Sequence, residues 1–252
     1  MGGEMSTSAW RRLVAEFVGT GLLVTVVVGS GIMADRLSPD DVGLQLLDNS
    51  LATALGLTVL ILVFGPVSGA HFNPLVSAVD AVIDRGLRPV EFGGYLVAQI
   101  IGGIGGALLA NTMFGVAPAI ASTDRAEVAT LLGEVVASAG LLLVILGLSR
   151  TGRIAIIAPA VGAYIGSAYW FTSSTSFANP AVTIGRIFSD TFAGIAPSSA
   201  LAFIVAQLVG AIVGGALATL LFPRTPLSRS SSTPRARPLL CVQRSAAPSP
   251  PP

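Results

Sequence analysis

Charged residues are scarce in this chain. Asp, Glu, Lys and Arg make up only 11% of the 252 residues, lysine is absent, and the formal net charge is +1. A chain with so few positive charges lacks a basic surface for nucleic acid, so we expect no nucleic-acid partner. Its 52% hydrophobic content also departs from that of soluble globular proteins. The composition is typical of a protein that lies in a lipid bilayer.

Cysteine and histidine each occur once, as Cys241 and His71. One cysteine cannot form a disulfide within the chain, and one histidine with no second ligand near it does not make a metal site. No nucleophile, base and orienting group come together in the sequence, so it does not favour an enzyme. We expect neither a cofactor nor a bound metal.

Long uncharged runs are abundant instead. Most of them supply the roughly 20 apolar residues that a membrane-spanning helix requires. They predict an all-α membrane protein in which Pro66 ends the second of six spans, at about 10–33, 49–65, 91–114, 125–148, 154–171 and 197–222.

Two Asn-Pro pairs lie inside these apolar segments. The first is Asn73-Pro74-Leu75, and the second, 106 residues later, is Asn179-Pro180-Ala181. Asn caps helices well, and Pro at the first helical position lacks an N–H that would have no partner there. Each pair therefore predicts a short re-entrant helix that begins within the membrane.

The two halves of the chain repeat one another. Glu16 and Glu134 begin similar apolar segments, and Gln99 and Gln207 each end a Val-Ala-Gln triplet. Because each half has three spans, the second must be inverted relative to the first, which gives a 3+3 inverted repeat. We divide the chain into a short amino-terminal segment (1–9), a membrane domain (10–223, with repeats 10–114 and 125–223) and a disordered Arg/Ser/Pro-rich tail (224–252).

Arginine placement predicts the orientation in the membrane. Arginines near the ends of the spans concentrate on one side, which should be cytoplasmic. We therefore expect a multi-pass protein of the inner (plasma) membrane with both termini in the cytoplasm. The residues on that side are Arg11, Arg12, Arg85, Arg88, Arg150, Arg153 and Arg224.

With its paired Asn-Pro boxes, paired Glu residues and inverted repeat, the chain resembles the aquaporin and aquaglyceroporin family, the major intrinsic proteins, over about residues 10–222. The resemblance implies that the two half-helices meet at mid-membrane, where Asn73 and Asn179 donate hydrogen bonds to a passing solute. It also implies a homotetramer with one pore per subunit. The first box departs from the family's Asn-Pro-Ala, and we expect Leu75 to add bulk where the half-helices touch.

The resemblance also assigns the buried polar residues. Glu16 and Glu134 would hold backbone N–H groups of the re-entrant loops, with Gln99 and Gln207 tying helices together nearby. A proton relay is the alternative for the two acids, since intramembrane carboxylates are costly and are functional candidates by default. His71 would line the cytoplasmic half of the pore, with pH gating as its alternative role.

The selectivity filter is where the chain departs from the family. The family's constriction carries an Arg three residues after the second Asn, and here that residue is Val182. The other family positions correspond to Thr53, Ser167 and Ser176, which predicts a wide, uncharged, hydroxyl-lined ring without an aromatic residue. In an alternative arrangement, Arg186 swings towards this ring and replaces the missing charge.

Such a ring favours small neutral solutes with several hydroxyls, namely glycerol-like polyols and metalloid acids such as arsenous acid, along with some water. Channels that resemble this one and carry a hydrophobic residue in place of the Arg are associated with bacterial arsenic handling. A fast water channel and a closed structural membrane protein are the alternatives.

Overall fold

The computed structural model of the protein describes residues 8–223, and within this range it contains helices and no strand. Six helices there are long and apolar enough to cross a membrane, judged by length and composition. The predicted all-α fold with six spans is confirmed. The α-helices are α1 (Ala9–Leu37), α2 (Val42–Ser68), α3 (Pro74–Val79), α4 (Pro89–Met113), α5 (Val128–Arg150), α6 (Ile157–Phe171), α7 (Pro180–Arg186) and α8 (Pro197–Leu221).

Several helix boundaries differ from the predicted ones: α1 continues to Leu37 rather than ending at about residue 33, and α2 begins at Val42 rather than at about residue 49. Pro66 lies inside α2, which continues to Ser68 and ends where Gly69 adopts a left-handed conformation, with φ of 87°. The prediction that Pro66 ends this helix was therefore wrong. The helix α5 begins at Val128 rather than at Arg125, because the Arg125 N–H donates to the Ser199 hydroxyl at 2.9 Å and holds the chain outside the helix.

The two short helices α3 and α7 are the predicted re-entrant half-helices. Asn73 caps α3 by accepting a hydrogen bond from the Leu75 N–H at 2.9 Å, and Asn179 caps α7 by accepting one from the Ala181 N–H at 2.9 Å. A π-helical turn, Asp80–Asp84, continues α3. Most of the predicted amino-terminal segment and the predicted disordered tail, residues 224–252, lie outside the described residues.

Glycine allows the long helices to pack closely in pairs. A Cβ atom on Gly102 or Gly106 of α4 would lie 2.3 Å or 2.1 Å from a backbone oxygen of α1. In the second half, a Cβ atom on Gly210 or Gly214 of α8 would lie 2.5 Å or 2.3 Å from a backbone oxygen of α5. Small residues are the usual means of bringing helix backbones together in a membrane. The pairs α1–α4 and α5–α8 therefore have matching contacts in the two repeats.

We predict that Gly106→Ala destabilises the protein, because the added methyl group would overlap the Gly21 carbonyl and force α1 and α4 apart. Overpacking of this kind costs about 1–3 kcal/mol. The midpoint of thermal unfolding in detergent should fall. Gly105→Ala is the matched control in the same helix, since a Cβ atom there meets nothing within 4 Å. Equal midpoints for the two variants would contradict this packing.

Candidate functional site

A cavity of about 230 Å³ lies between the two halves of the molecule. It extends from Asp84 and Ser149 at one end to Arg186 at the other. The re-entrant segments 69–73 and 176–179 form its polar side. Aliphatic side chains form much of the remaining wall, among them Leu23, Val27, Leu57, Ile61, Leu141, Ile145, Val161 and Ile165, and the polar residues Thr53, Asp80, Asp84, Ser149, Tyr169 and Arg186 complete it.

Glu16 holds the first re-entrant segment from within α1. Its carboxylate is fully buried and accepts hydrogen bonds from the backbone N–H groups of His71 at 3.0 Å and Phe72 at 2.7 Å. It also accepts from the Ser68 hydroxyl at 2.6 Å and from Gln99 Nε2 at 2.8 Å. The carboxylate thus accepts from two backbone N–H groups that have no water to bond in a bilayer, and from two side-chain donors.

Glu134 makes the matching contacts in the second half. The fully buried carboxylate accepts from the backbone N–H groups of Phe177 at 2.8 Å and Ala178 at 2.9 Å, and from Gln207 Nε2 at 2.6 Å. Gln207 also donates to the Thr183 hydroxyl at 2.9 Å, as Gln99 does to the Ser77 hydroxyl. The contacts of both acids are those of loop-supporting residues, and His71 meets Glu16 through its backbone rather than its ring.

The re-entrant segments hold an unusual backbone conformation. Ala70 and Phe72 have φ of 49°, and the equivalent Ser176 and Ala178 have φ of 51° and 46°. Residues other than glycine adopt this left-handed region at a cost on the order of 1–3 kcal/mol each, and they keep it only where the surroundings impose it. The N–H groups of Phe72 and Ala178 donate to Glu16 and Glu134, and those of Ala70 and Ser176 donate to the hydroxyls of Ser68 and Ser174. These hydrogen bonds help to hold the conformation.

The two Asn side chains tie the re-entrant segments to each other. Asn73 Nδ2 donates to the Ala178 carbonyl at 2.8 Å, and Asn179 Nδ2 donates to the Phe72 carbonyl at 2.7 Å. Both side chains also line the cavity. An amide nitrogen carries two hydrogens, so each Asn keeps one donor for a solute.

The remaining residues of the two boxes are structural. Pro74 and Pro180 occupy the first positions of α3 and α7. Ala181 is fully buried, and its carbonyl faces Gly103 so closely that a Cβ atom there would lie 2.7 Å away. Leu75 is buried in a cluster with Leu142, Leu146 and Ala211. We expected Leu75 to add bulk where the half-helices touch, but its side chain packs against α5 and α8.

Three of the four predicted filter residues line the cavity: Thr53, Ser176 and Val182. The prediction for Ser167 was wrong, because this residue is exposed and its hydroxyl donates to the Tyr164 carbonyl of its own helix at 2.8 Å. Tyr169 lines the cavity in its place, with its hydroxyl 3.2 Å from the Thr53 hydroxyl. The lining therefore contains an aromatic ring that we did not expect.

The sequence contained a signal for Tyr169. The residues of α6 and its preceding turn that line the cavity recur every four positions, at Ile157, Val161, Ile165 and Tyr169, which is the spacing of one helix face. The filter position was assigned to Ser167 instead because it was located by counting residues back from Asn179. That count crosses a non-helical segment, where residue spacing does not preserve direction.

His71 lines the cavity near the first Asn. Its Nδ1 lies 3.1 Å from the Ser77 hydroxyl, and its ring meets Tyr95 edge-on with the ring centroids 5.4 Å apart. No group of three His, Cys, Asp or Glu residues that could hold a metal occurs within residues 8–223.

Arg186 lies at the far end of the same cavity, one helical turn beyond Val182. Its side chain is only 3% exposed, and its Nε donates to the Ala193 carbonyl. The guanidinium carbon lies 3.4 Å from the centre of the Phe177 ring. These contacts hold the cation next to the cavity without any swing of the side chain.

Comparison with known proteins agrees with this geometry. The family described as "Major intrinsic protein" matches residues 4–176. The chain belongs to this family. It is a multi-pass membrane channel for small neutral solutes and not an enzyme.

Two curated relatives cover most of this major intrinsic protein. It is 49% identical over 225 residues to "Aquaglyceroporin AqpS" of Rhizobium meliloti (strain 1021), across 88% of this chain and 95% of the relative. It is 34% identical over 227 residues to "Aquaporin Z" of Brucella melitensis, across 81% of this chain and 94% of the relative. The X-ray structure of the aquaglyceroporin from Plasmodium falciparum has a similar fold, with a TM-score of 0.63 at 21% identity, covering 85% of this chain and 96% of that one.

We predict that Glu134→Gln destabilises the protein and lowers its flux. The substituted amide keeps one accepting oxygen and turns its NH2 group towards either the Phe177 N–H or the Ala178 N–H, which would leave a buried donor unpaired at about 1–3 kcal/mol. Thermal unfolding in detergent measures this loss. Asp48→Asn, which changes an exposed carboxylate on α2, should leave the midpoint unchanged. A Glu134→Gln variant with normal stability but altered proton flux would favour a proton relay instead.

Proposed function

We propose that this channel conducts glycerol-like polyols and metalloid acids, arsenous acid in particular, together with some water. The cavity wall between Asn179 and Arg186 carries this proposal. It presents three hydroxyls, on Thr53, Tyr169 and Ser176, beside the aliphatic side chain of Val182. A wall of hydroxyls and carbon suits a compact, uncharged solute that itself carries several hydroxyls.

Ser176 can bind such a solute if its side chain turns its hydroxyl towards the cavity. Its hydroxyl oxygen is buried and has no hydrogen-bond partner among residues 8–223, although the residue lines the cavity. A buried hydroxyl without a partner costs about 1–3 kcal/mol, and a solute hydroxyl that replaces the missing partner removes this cost. Polyols and arsenous acid carry such hydroxyls.

Ions are poor candidates for the same path. Between the charged residues at its two ends, the aliphatic stretch of the wall offers no partner for a charge that has lost its water, and an unpaired charge in such surroundings is very costly. The amino-terminal ends of α3 and α7 each add a partial positive charge of roughly +0.5 near Asn73 and Asn179, which opposes cations further. Neutral solutes meet neither barrier.

We also propose that the membrane unit, residues 10–223, forms a homotetramer in the inner membrane with both termini in the cytoplasm. The positions of the arginines support the orientation, because Arg12 and Arg150 lie at helix ends assigned to the cytoplasm and each forms an ion pair there. Arg12 pairs with Glu91 at 3.1 Å, and Arg150 pairs with Asp84 at 3.4 Å.

The curated relative that covers 88% of this chain is named an aquaglyceroporin, which supports the choice of polyols over water alone.

We predict that Val182→Arg suppresses flux of glycerol and arsenous acid by more than about tenfold, an added barrier of roughly 1.4 kcal/mol or more. The long side chain would narrow the cavity and add a fixed cation, while water remains small enough to pass. Stopped-flow light scattering on proteoliposomes measures all three fluxes. Val182→Thr, which keeps the volume, is the control and should retain the wild-type flux of the larger solutes.

Three results would contradict the proposal in different ways. Unchanged arsenous acid flux in a folded Val182→Arg variant would remove Val182 from the filter. Rapid water flux in the wild type, with glycerol and arsenous acid at the lipid background, would indicate a water channel. Negligible flux of all three solutes through intact protein would indicate a closed structural homologue.

A further inference from the structure

A second, smaller cavity of about 180 Å³ lies at the Arg186 end of the pore. Arg125 and Arg186 line it, together with the polar side chains of Asn49 and Thr175. Arg186 is the one residue that the linings of the two cavities share. The smaller cavity, here called the outer vestibule, therefore adjoins the pore directly at this guanidinium.

Backbone carbonyls and one aromatic ring fix both arginines. Arg186 Nε donates to the Ala193 carbonyl, and Arg125 donates through Nε to the Gly194 carbonyl at 2.8 Å and through Nη2 to the Phe192 carbonyl at 2.9 Å. Both guanidinium groups also lie over Phe177. Within residues 8–223, both Nη atoms of Arg186 and Nη1 of Arg125 keep donors that no protein group accepts.

The outer vestibule has no counter-charge of its own. Among the described residues, no Asp or Glu lines it, and neither arginine forms an ion pair. The neighbouring Asp124 accepts instead from the Ser199 hydroxyl and the Ala126 N–H, and Glu134 is occupied by the loop N–H groups. Two cations held close together repel one another, and burial makes an unpaired charge costly. The Glu134 carboxylate, which lies outside the vestibule lining, attracts Arg186 and offsets only part of these costs. An anion in the vestibule would remove both costs.

We propose that the outer vestibule binds a small tetrahedral oxyanion of the phosphate class between Arg125 and Arg186. Planar guanidinium groups with free N–H donors match the oxygen spacing of such anions and bind them with charge-assisted hydrogen bonds. The anion does not continue into the pore, because the uncharged ring of hydroxyls and carbon beyond Arg186 gives it no counter-charge. Its occupancy closes the outer end of the pore to neutral solutes, a consequence that rests on the function proposed above.

Thermal unfolding of the detergent-purified protein with millimolar inorganic phosphate tests the binding site without any flux. Phosphate should raise the wild-type midpoint saturably above that in chloride of equal ionic strength, because a ligand that binds the folded state alone stabilises it. Arg186→Gln and Arg125→Gln should lose this shift. The control is Arg36→Gln, since Arg36 also donates to a backbone carbonyl and lies over a ring, that of Phe114, but does not line the vestibule. It should keep the shift.

Two outcomes would overturn the site: no phosphate shift in the wild type, or an equal shift in all three variants, which would be a general salt effect. Where a Gln variant does not fold, the corresponding Lys variant replaces it in the experiment. Phosphate should then shift the unfolding midpoint less than in the wild type, because lysine cannot form the bidentate hydrogen bonds of a guanidinium group. These results are independent of whether the channel conducts polyols.

Glycerol flux into proteoliposomes tests the consequence for the pore. External phosphate at ten times its dissociation constant should leave about one tenth of the wild-type flux, by mass action, and should leave Arg186→Gln uninhibited. The same inhibition in zwitterionic and in anionic lipid would identify free phosphate as the occupant. Inhibition that depends on anionic lipid would identify a lipid headgroup instead. If phosphate shifts the unfolding midpoint but does not change the flux, the binding site is supported. The claim that its occupancy closes the pore is then refuted.

Discussion

Two buried carboxylates hold the centre of this protein together. A non-helical chain inside a bilayer has N–H and C=O groups that neither lipid nor a helix satisfies, and each unpaired group costs several kcal/mol. Glu16 and Glu134 accept the N–H groups of the two re-entrant segments and so make the left-handed conformations at Phe72 and Ala178 sustainable. The Phe72 and Ala178 carbonyls are then free to accept hydrogen bonds from the opposite Asn side chains. Removing either acid would disturb both segments.

The carboxylates can act this way only because glycine brings the long helices close. Gln99 on α4 donates to Glu16 on α1, and this contact lies between helices whose backbones touch at Gly102. Gln207 on α8 and Glu134 on α5 repeat the arrangement, with Gly210 at the corresponding contact. The spacing of the glycines therefore sets the distance between the helices, and this distance allows the Gln–Glu hydrogen bonds to form. These hydrogen bonds in turn help to fix the shape of the pore.

The features that were predictable from sequence share one property, which is that each occurs twice. The Asn-Pro boxes, the Glu pair and the Gln pair support one another. The length and composition of the uncharged runs were enough to predict the six spans. Pro66 was misjudged because a proline near the end of a helix removes a single N–H, and α2 absorbs that loss for two further residues. Ser167 was misjudged because its position was counted through irregular backbone. The environment of Arg186 depends on Phe177 and Ala193, whose closeness to it only the tertiary structure reveals.

The position of the fixed positive charge separates the repulsion of cations from the narrowing of the pore. An arginine at position 182 would place its cation within the hydroxyl ring of Thr53, Tyr169 and Ser176, where it would both narrow the pore and repel cations. In this chain, position 182 is aliphatic and the cation lies one helical turn further out, at Arg186. The repulsion of cations then acts at the entrance, before a solute reaches the ring. In the function proposed above, the ring itself is left to discriminate by size and hydroxyl pattern.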